Sequence, residues 1–169
     1  MSSKRREQLL SALNAAFREV SGLGVLHSQE IAARLGINST DLECLDHVAT
    51  RGPLTAGALA EITGLTTGAI TGVIDRLERA GFVRREHDAD DRRKVLVRLV
   101  PDSLARVMPL FAPMEKRAMA ALAGYSDKEL DFLLRFLESN AKAARDAMTE
   151  LRTMPAVKKA AKKRAVRKT

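Results

Sequence analysis

Residues 54–100 read LTAGALAEITGLTTGAITGVIDRLERAGFVRREHDADDRRKVLVRLV, and the succession of patterns inside them decides the fold. An alanine-rich run suits a short helix over 56–62, and Gly64 then fits a tight turn. Thr66 follows as an N-cap, because its hydroxyl can accept one of the amide protons that a first helical turn leaves unpaired. Ile70, Val73, Ile74 and Leu77 recur at spacings of three and four, which predicts a helix over 67–79 with one apolar face. Gly81 closes it. FVRRE and KVLVRLV, rich in β-branched residues, predict two short strands joined by a loop around residues 88–94. A short helix, a turn with glycine, a longer helix and a hairpin outline a helix-turn-helix with a β wing.

The polar side of the longer helix carries Thr67, Gly68, Thr71, Gly72, Asp75, Arg76 and Arg79, a small surface for an exposed helix. A mid-helix glycine costs roughly 1 kcal/mol against alanine, so two on one face suggest that something approaches closely. A DNA major groove admits a helix and rewards threonine with thymine methyls and phosphates. Packing against another helix of the protein is the competing reading. The loop DADDRRK holds six charges in seven residues. Its arginines suit phosphate, or the focused negative potential of a narrow minor groove. Asp88, Asp90 or Asp91 would brace the tip by pairing with one arginine while another projects, since an ordered fork loses less entropy on binding. A solvated charged turn is the alternative.

Outward from this stretch the chain reads as helical. Residues 4–20 carry Leu9, Leu10, Leu13, Ala16, Phe17 and Val20 as a stripe, with Gly22 and Gly24 read as its end. SQEIAARLG offers a brief second helix with Ser28 as N-cap and Gly36 as stop. TDLECLDHVATRG follows, with Thr40 and Glu43 as a capping box and Gly52-Pro53 as terminator. Residues 102–123 return to helix, with Pro109 and Pro113 expected to kink or split it. SDKELDFLLRFLESNAKAARDAMTEL begins with a capping box, Ser126 to Glu129. It carries Leu130, Leu134, Leu137, Ala141, Ala144, Met148 and Leu151 in steps of four and three, a heptad seam that predicts pairing with a second helix.

The formal net charge of +8 is unevenly spread: the acid-free segment 155–169 holds seven of the 29 basic residues, so the body is nearly neutral. That tail is expected to be disordered and to favour a polyanion, nucleic acid before anionic membrane. Aromatic content of 4% without tryptophan suits packed helices. No signal-type or spanning apolar run is read, so a cytoplasmic protein with no membrane attachment is expected. The lone Cys44 excludes an intramolecular disulfide and reads as a buried structural thiol. His27, His47 and His87 have no carboxylate or thiol partner at ligand spacing, and no phosphate loop or nucleophile motif occurs. Catalytic residues, a metal site and a cofactor are therefore not expected, and an enzyme is disfavoured.

Residues 54–100 resemble the winged helix-turn-helix of MarR-type bacterial transcriptional regulators. Asp88, Ala89, Asp90, Asp91, Arg92 and Arg93 are similar to the family's Asp-Pro-x-Asp-Arg-Arg wing signature, with Ala89 in place of the proline, and the likeness extends over about residues 5–150. The resemblance implies a mainly α fold with a small β wing: a DNA-binding region over 40–100 and a helical dimerisation region from 4–36 and 102–151. Leu9, Leu13 and Phe17 would join Leu130, Leu134, Leu137, Ala141, Ala144 and Met148 in the dimer. It implies an obligate homodimer on double-stranded DNA, each subunit placing a recognition helix in the major groove and a wing in the minor groove, with a cleft where small-molecule effectors bind in many members. Thr66, Thr67, Thr71 and Arg76 would then contact DNA from the helix, Arg92 or Arg93 would enter the minor groove, and Arg84, Arg85 and Lys94 would lie near phosphates. Gly72 departs from the family, where many members carry arginine. A repressor on a pseudo-palindromic operator, with half-sites about one helical turn apart, follows from this likeness and two-fold symmetry. The rival is an architectural, largely non-specific DNA-binding protein whose active element is the basic tail.

Overall fold

The computed structural model describes residues 3–155. In chain order the elements are α1 (Ser3–Leu35), α2 (Ser39–Arg51), β1 (Leu54–Thr55), α3 (Ala56–Thr63), α4 (Thr67–Arg79), β2 (Val83–His87), β3 (Val95–Leu99), α5 (Ser103–Leu122) and α6 (Asp127–Thr153). Apart from Pro155, the basic tail expected from residue 155 onward lies outside the described residues. The chain divides into two compact units, Met1–Lys116 and Arg117–Thr169.

In the first unit the strands form an antiparallel sheet in the order β1-β3-β2. Val83 to His87 pair with Leu99 to Val95, and Leu54 and Thr55 add a short edge opposite Val97 and Leu96. β1 is too short to show alternation in the sequence, and it exists because β3 offers an open edge to the residues that lead into α3. The core lies between α2, α3, α4 and the sheet. Ile70, Val73, Ile74 and Leu77 of α4 are all buried, packed with Leu45 and Val48 of α2, Leu59 of α3, and Phe82, Val83 and Val97. Burial of a single such side chain contributes about 1.5–3 kcal/mol, so this face fixes which side of α4 points outward.

Four expectations are corrected. α1 is continuous from Ser3 to Leu35, so Gly22 and Gly24 do not end a helix and Ser28 caps none. Interior glycines cost only about 1 kcal/mol each, and the good helix formers on both sides outweigh that. The N-cap of α2 is Asn38 rather than Thr40, and its capping-box partner is Asp41 rather than Glu43. Of the kink or split expected in α5, the split does not occur: the helix runs on with Pro109 and Pro113 both inside it. Each proline forgoes one backbone hydrogen bond without ending the helix. Finally, because the glycines leave α1 whole, two apolar runs fuse into a helix long and apolar enough to cross a membrane by length and composition. Arg18 and Glu19 sit within it, and a charged residue at the centre of a span costs about 2.5–3.5 kcal/mol. The helix also packs Ile31 and Ala32 against Leu42 of α2.

The second unit holds α6, which opens on a capping box between Ser126 and Glu129, the Ser126 N–H donating to Glu129 Oε2 at 2.8 Å, and the Ser126 hydroxyl also donates to that oxygen at 2.7 Å. None of its residues is buried, and Leu134, Leu137 and Met148 are each more than half exposed.

Candidate nucleic-acid interface

Between α3 and α4 the chain bends by 112°. Gly64, at φ 71°, makes the turn, a left-handed conformation in which other residues meet a steric penalty. Thr66 then caps α4, its hydroxyl accepting from the Ala69 N–H at 3.3 Å. With the apolar face committed to the core, Thr67, Gly68, Thr71, Asp75 and Arg79 are exposed. A methyl group added at Gly68 would meet nothing within 4 Å, and one at Gly72 would lie 3.5 Å from Arg76 Nη1, ordinary contact. Packing within the chain therefore does not require either glycine. Thr71 is exposed, and its hydroxyl donates to the Thr67 carbonyl at 3.0 Å.

Arg76, expected at DNA, has an internal partner. Its Nε lies 3.1 and 3.0 Å from the two carboxylate oxygens of Asp41, and Nη2 lies 2.7 Å from Oδ1. Asp41 is fully buried and also accepts from the Asn38 N–H at 3.2 Å. The hydrogen bonds that Arg76 donates to Asp41 raise its guanidinium further above its already high value. One carboxylate thus closes the first turn of α2 and locks α4 onto it. At the other end of α4, Arg106 of α5 donates to the Ala80 carbonyl at 3.0 Å while its guanidinium lies 4.3 Å from the centroid of Phe82. That arrangement satisfies a helix C-terminal carbonyl with a cation, a favourable pairing with the helix dipole. Sequence reasoning misses both tethers. Asp41 and Arg76 lie 35 residues apart, and only the Asn38-x-x-Asp41 spacing offers a local signal.

The wing is similarly organised by ion pairs. Arg84 faces Arg98 across the sheet, and Glu86 binds both, at 2.5 and 2.9 Å, which offsets the like-charge opposition. Arg85 ties the wing to α4, pairing with Asp75 at 2.5 Å and with Glu78, while its backbone N–H donates to Glu78 at 3.1 Å. At the tip, Asp88 Oδ1 accepts from the N–H groups of Asp90 and Asp91 at 2.9 and 3.0 Å. Asp91 accepts from the Arg93 backbone at 3.1 Å and Arg93 Nε at 3.4 Å, with Lys94 Nζ 3.9 Å away. His87 Nδ1 lies 2.9 Å from the Arg92 carbonyl oxygen. Among the described residues, Arg92 alone of Arg76, Arg84, Arg85, Arg92, Arg93 and Lys94 has no anionic partner. Asp90 contributes its backbone to the turn.

Two backbone N–H bonds hold the Asp88 carboxyl below its ordinary 3.8. A depressed carboxyl stabilises the tip at pH above 3.8, and the contribution fades as pH falls through the lowered value. In an acid titration followed by NMR, the Asp90 and Asp91 amide resonances should move with the Asp88 carboxyl at a midpoint below 3.8. A midpoint at or above it would contradict this turn.

α1, α2 and α5 line a half-open cavity of about 770 Å³ walled largely by apolar side chains, Leu42, Leu45, Leu104, Val107 and Phe111 among them. Cys44 is fully buried in the core, and desolvation, followed by the charges of Glu43 and Asp41, pushes its thiol up to about 11. A thiol reagent at about pH 8 should therefore label only unfolded chain; rapid stoichiometric labelling of native protein would refute this. Among the described residues no group of three or more His, Cys, Asp or Glu is placed to hold a metal ion.

The MarR family model matches residues 37–95, which span α2 to the start of β3. The HTH-type transcriptional regulator YcgE of Bacillus subtilis (strain 168) is 35% identical over 147 residues, covering 87% of this chain and 96% of its own. The HTH-type transcriptional repressor YetL of the same organism is 34% identical over 79 residues, 47% of either chain. Among solved structures, a MarR family protein from Bacillus stearothermophilus superposes with a TM-score of 0.65 at 22% identity, covering 82% of this chain and 97% of that one. A mutant of MepR from S. aureus, bound to an oligodeoxyribonucleotide, gives 0.55 at 17% identity, covering 78% and 97%. These structural likenesses show the fold, and the near full-length kinship with YcgE carries more. The protein is accordingly a regulator of transcription, not an enzyme, and belongs to the MarR family of winged helix-turn-helix transcriptional regulators.

Proposed function

We propose that the protein is a homodimeric repressor that reads a pseudo-palindromic operator, with α4 in the major groove and the β2–β3 tip in the adjacent minor groove. The observation that carries this is the outer face of α4, where two glycines and Thr67 and Thr71 leave a shallow surface that no packing within the chain requires. Thr66, Thr67 and Thr71 contact the DNA. Arg92, without an anionic partner among the described residues, and Arg93, steadied by Asp91, supply the minor-groove cation. Asp88 and Asp91 order the tip before DNA arrives, which lowers the entropy lost on binding. Arg84, Arg85 and Lys94 add positive potential near phosphates, and Arg76 acts through its hold on α4. A relative of the same fold, MepR, is bound to an oligodeoxyribonucleotide, and another, YetL, is described as a repressor.

Dimerisation is supported by the exposed apolar side chains of two long helices. Leu9 and Leu13 of α1 and Leu134, Leu137 and Met148 of α6 are about half exposed in the single chain, a surface that a monomer in water would not keep. Phe17, Leu130, Ala141 and Ala144 complete the two stripes. A small molecule in the cavity behind α2 releases the DNA.

The test is fluorescence-anisotropy binding to DNA from upstream of the protein's own gene and to a shuffled control, over a salt series. A repressor of this kind should prefer its operator by roughly 10³-fold or more. Equal affinity for every candidate operator and the control would sink the reading. The basic tail favours a second one, sequence-independent compaction of DNA, because seven cations without an acid suit phosphate at any sequence. Removing residues 155–169 should then weaken specific and control DNA alike, whereas a regulator keeps its preference without them.

A further inference from the structure

The cavity bounded by α1, α2 and α5 is large enough for a drug-sized molecule. Its charge is one-sided. Among the described residues, the only ionisable side chains lining it are Glu43 and Asp46, three residues apart on α2 and so on neighbouring turns of one face. Both are exposed toward solvent, and neither carboxylate has an ion-pair or hydrogen-bond partner among the described residues. No lysine, arginine or histidine of the described residues lines the space. His27, which meets Phe111 edge-on at 5.8 Å, and His47, next to Asp46 on α2, both lie outside the lining. The apolar walls are Leu42 and Leu45, beside the acids on α2, and Leu104, Val107 and Phe111 of α5.

We propose that this cavity takes an apolar organic cation, its hydrocarbon body between α2 and α5 and its positive centre at Glu43 and Asp46. An organic anion of the same size would find the same walls but two like charges and no counter-charge, so the site should discriminate by sign. Two carboxylates near the mouth of a cavity, even at a protein-like effective dielectric, separate a cation from an isosteric anion by at least about tenfold in affinity. This deepens the effector part of the proposed function and rests on it only for the consequence at DNA; the binding event stands alone.

Tetraphenylphosphonium and tetraphenylborate are nearly isosteric and opposite in charge, so titrating each into the full chain by calorimetry isolates the sign of the charge. The cation is expected to bind at least about tenfold more tightly than the anion. The double substitution Glu43→Gln with Asp46→Asn, both at exposed positions, is expected to erase that difference while the chain unfolds at the wild-type temperature. Equal or tighter binding of the anion, an unchanged preference in the double variant, or no binding of either probe overturns the proposal. The last outcome includes the case in which a second copy of the chain fills the cavity. Operator preference measured on the same sample without probe reads the repressor proposal separately: its loss with cation binding intact sinks that reading and not this one. If the cation binds and the operator complex survives saturation, the cavity keeps its ligand class and loses its regulatory role.

Discussion

Arg76→Ala should destabilise the protein by about 3 kcal/mol. Removing one member of a buried ion pair costs roughly 3–5 kcal/mol because the other charge stays behind in a site without water. Asp41 is fully buried and would keep only the Asn38 N–H, at 3.2 Å. The Arg76 side chain is 41% exposed, so some water can follow it into the gap, which argues for the lower end of that range. For a chain of this length the loss corresponds to a fall of about 6–12 °C in melting temperature. Asp41→Ala should cost less, because it leaves no buried charge and the half-exposed Arg76 can turn to water, with only the Asn38 N–H losing its acceptor. The double variant Asp41→Leu with Arg76→Met, apolar on both sides, should be more stable than either alanine variant. Urea unfolding at fixed protein concentration measures all three. A change below about 1 kcal/mol in Arg76→Ala, well under the range for a buried pair, would mean that the pair is not closed in solution.

Gly68→Glu should separate folding from function in the opposite sense. A side chain at Gly68 meets nothing within 4 Å, the residue lies in the first turn of α4, and glycine is the costlier residue in a helix. Replacement gains about 1 kcal/mol from helix propensity and from a carboxylate at the positive end of the helix dipole. The same carboxylate would face DNA phosphates across the proposed interface, where juxtaposed like charges cost several kcal/mol. The expected result is a protein that melts slightly higher and binds its operator on the order of 10²-fold more weakly. Affinity close to that of wild type would place the DNA elsewhere. Gly68→Ala serves as control: it should keep the stability gain and lose much less binding.

The contrast between these sites marks what can be read in the chain. α4 is legible to the residue, because its caps and apolar period are local and every apolar position on its stripe finds the core. The wing strands are legible for the same reason. In α1 glycine is a misleading stop signal, since its cost of about 1 kcal/mol is small against 33 residues of helix. In α2 two capping boxes compete two residues apart, and the one with Asn38 forms, giving the buried Asp41 two roles. The sequence spacing favours neither. Charge alone assigns Arg76 and Arg85 to DNA. Their acids lie on other elements, α2 for one and α4 for the other, and no periodicity rule pairs residues across such distances. The tip is intermediate: a brace by aspartate is legible, while Asp88 serves backbone N–H groups rather than an arginine. The proposed dimer and DNA contacts are readable only as exposed stripes and faces, since their partners would be other molecules.

α2 has only thirteen residues, yet most of them have a task. Asp41 holds α4; Leu45 and Val48 fill the core; Glu43 and Asp46 line the cavity together with Leu42 and Ala49. Few positions remain at which a substitution would go unnoticed, Thr50 and Arg51 at its end being the freest. Drift in such a family is therefore channelled. On the proposed function, a lineage that adapts to a new ligand must change α2 at positions only one residue from Asp41, which holds α4, whereas α4 can change its outer face without touching the cavity. Operator preference should diverge readily among relatives, and ligand preference should diverge in coupled steps, each change in α2 accompanied by one in α4 or α5.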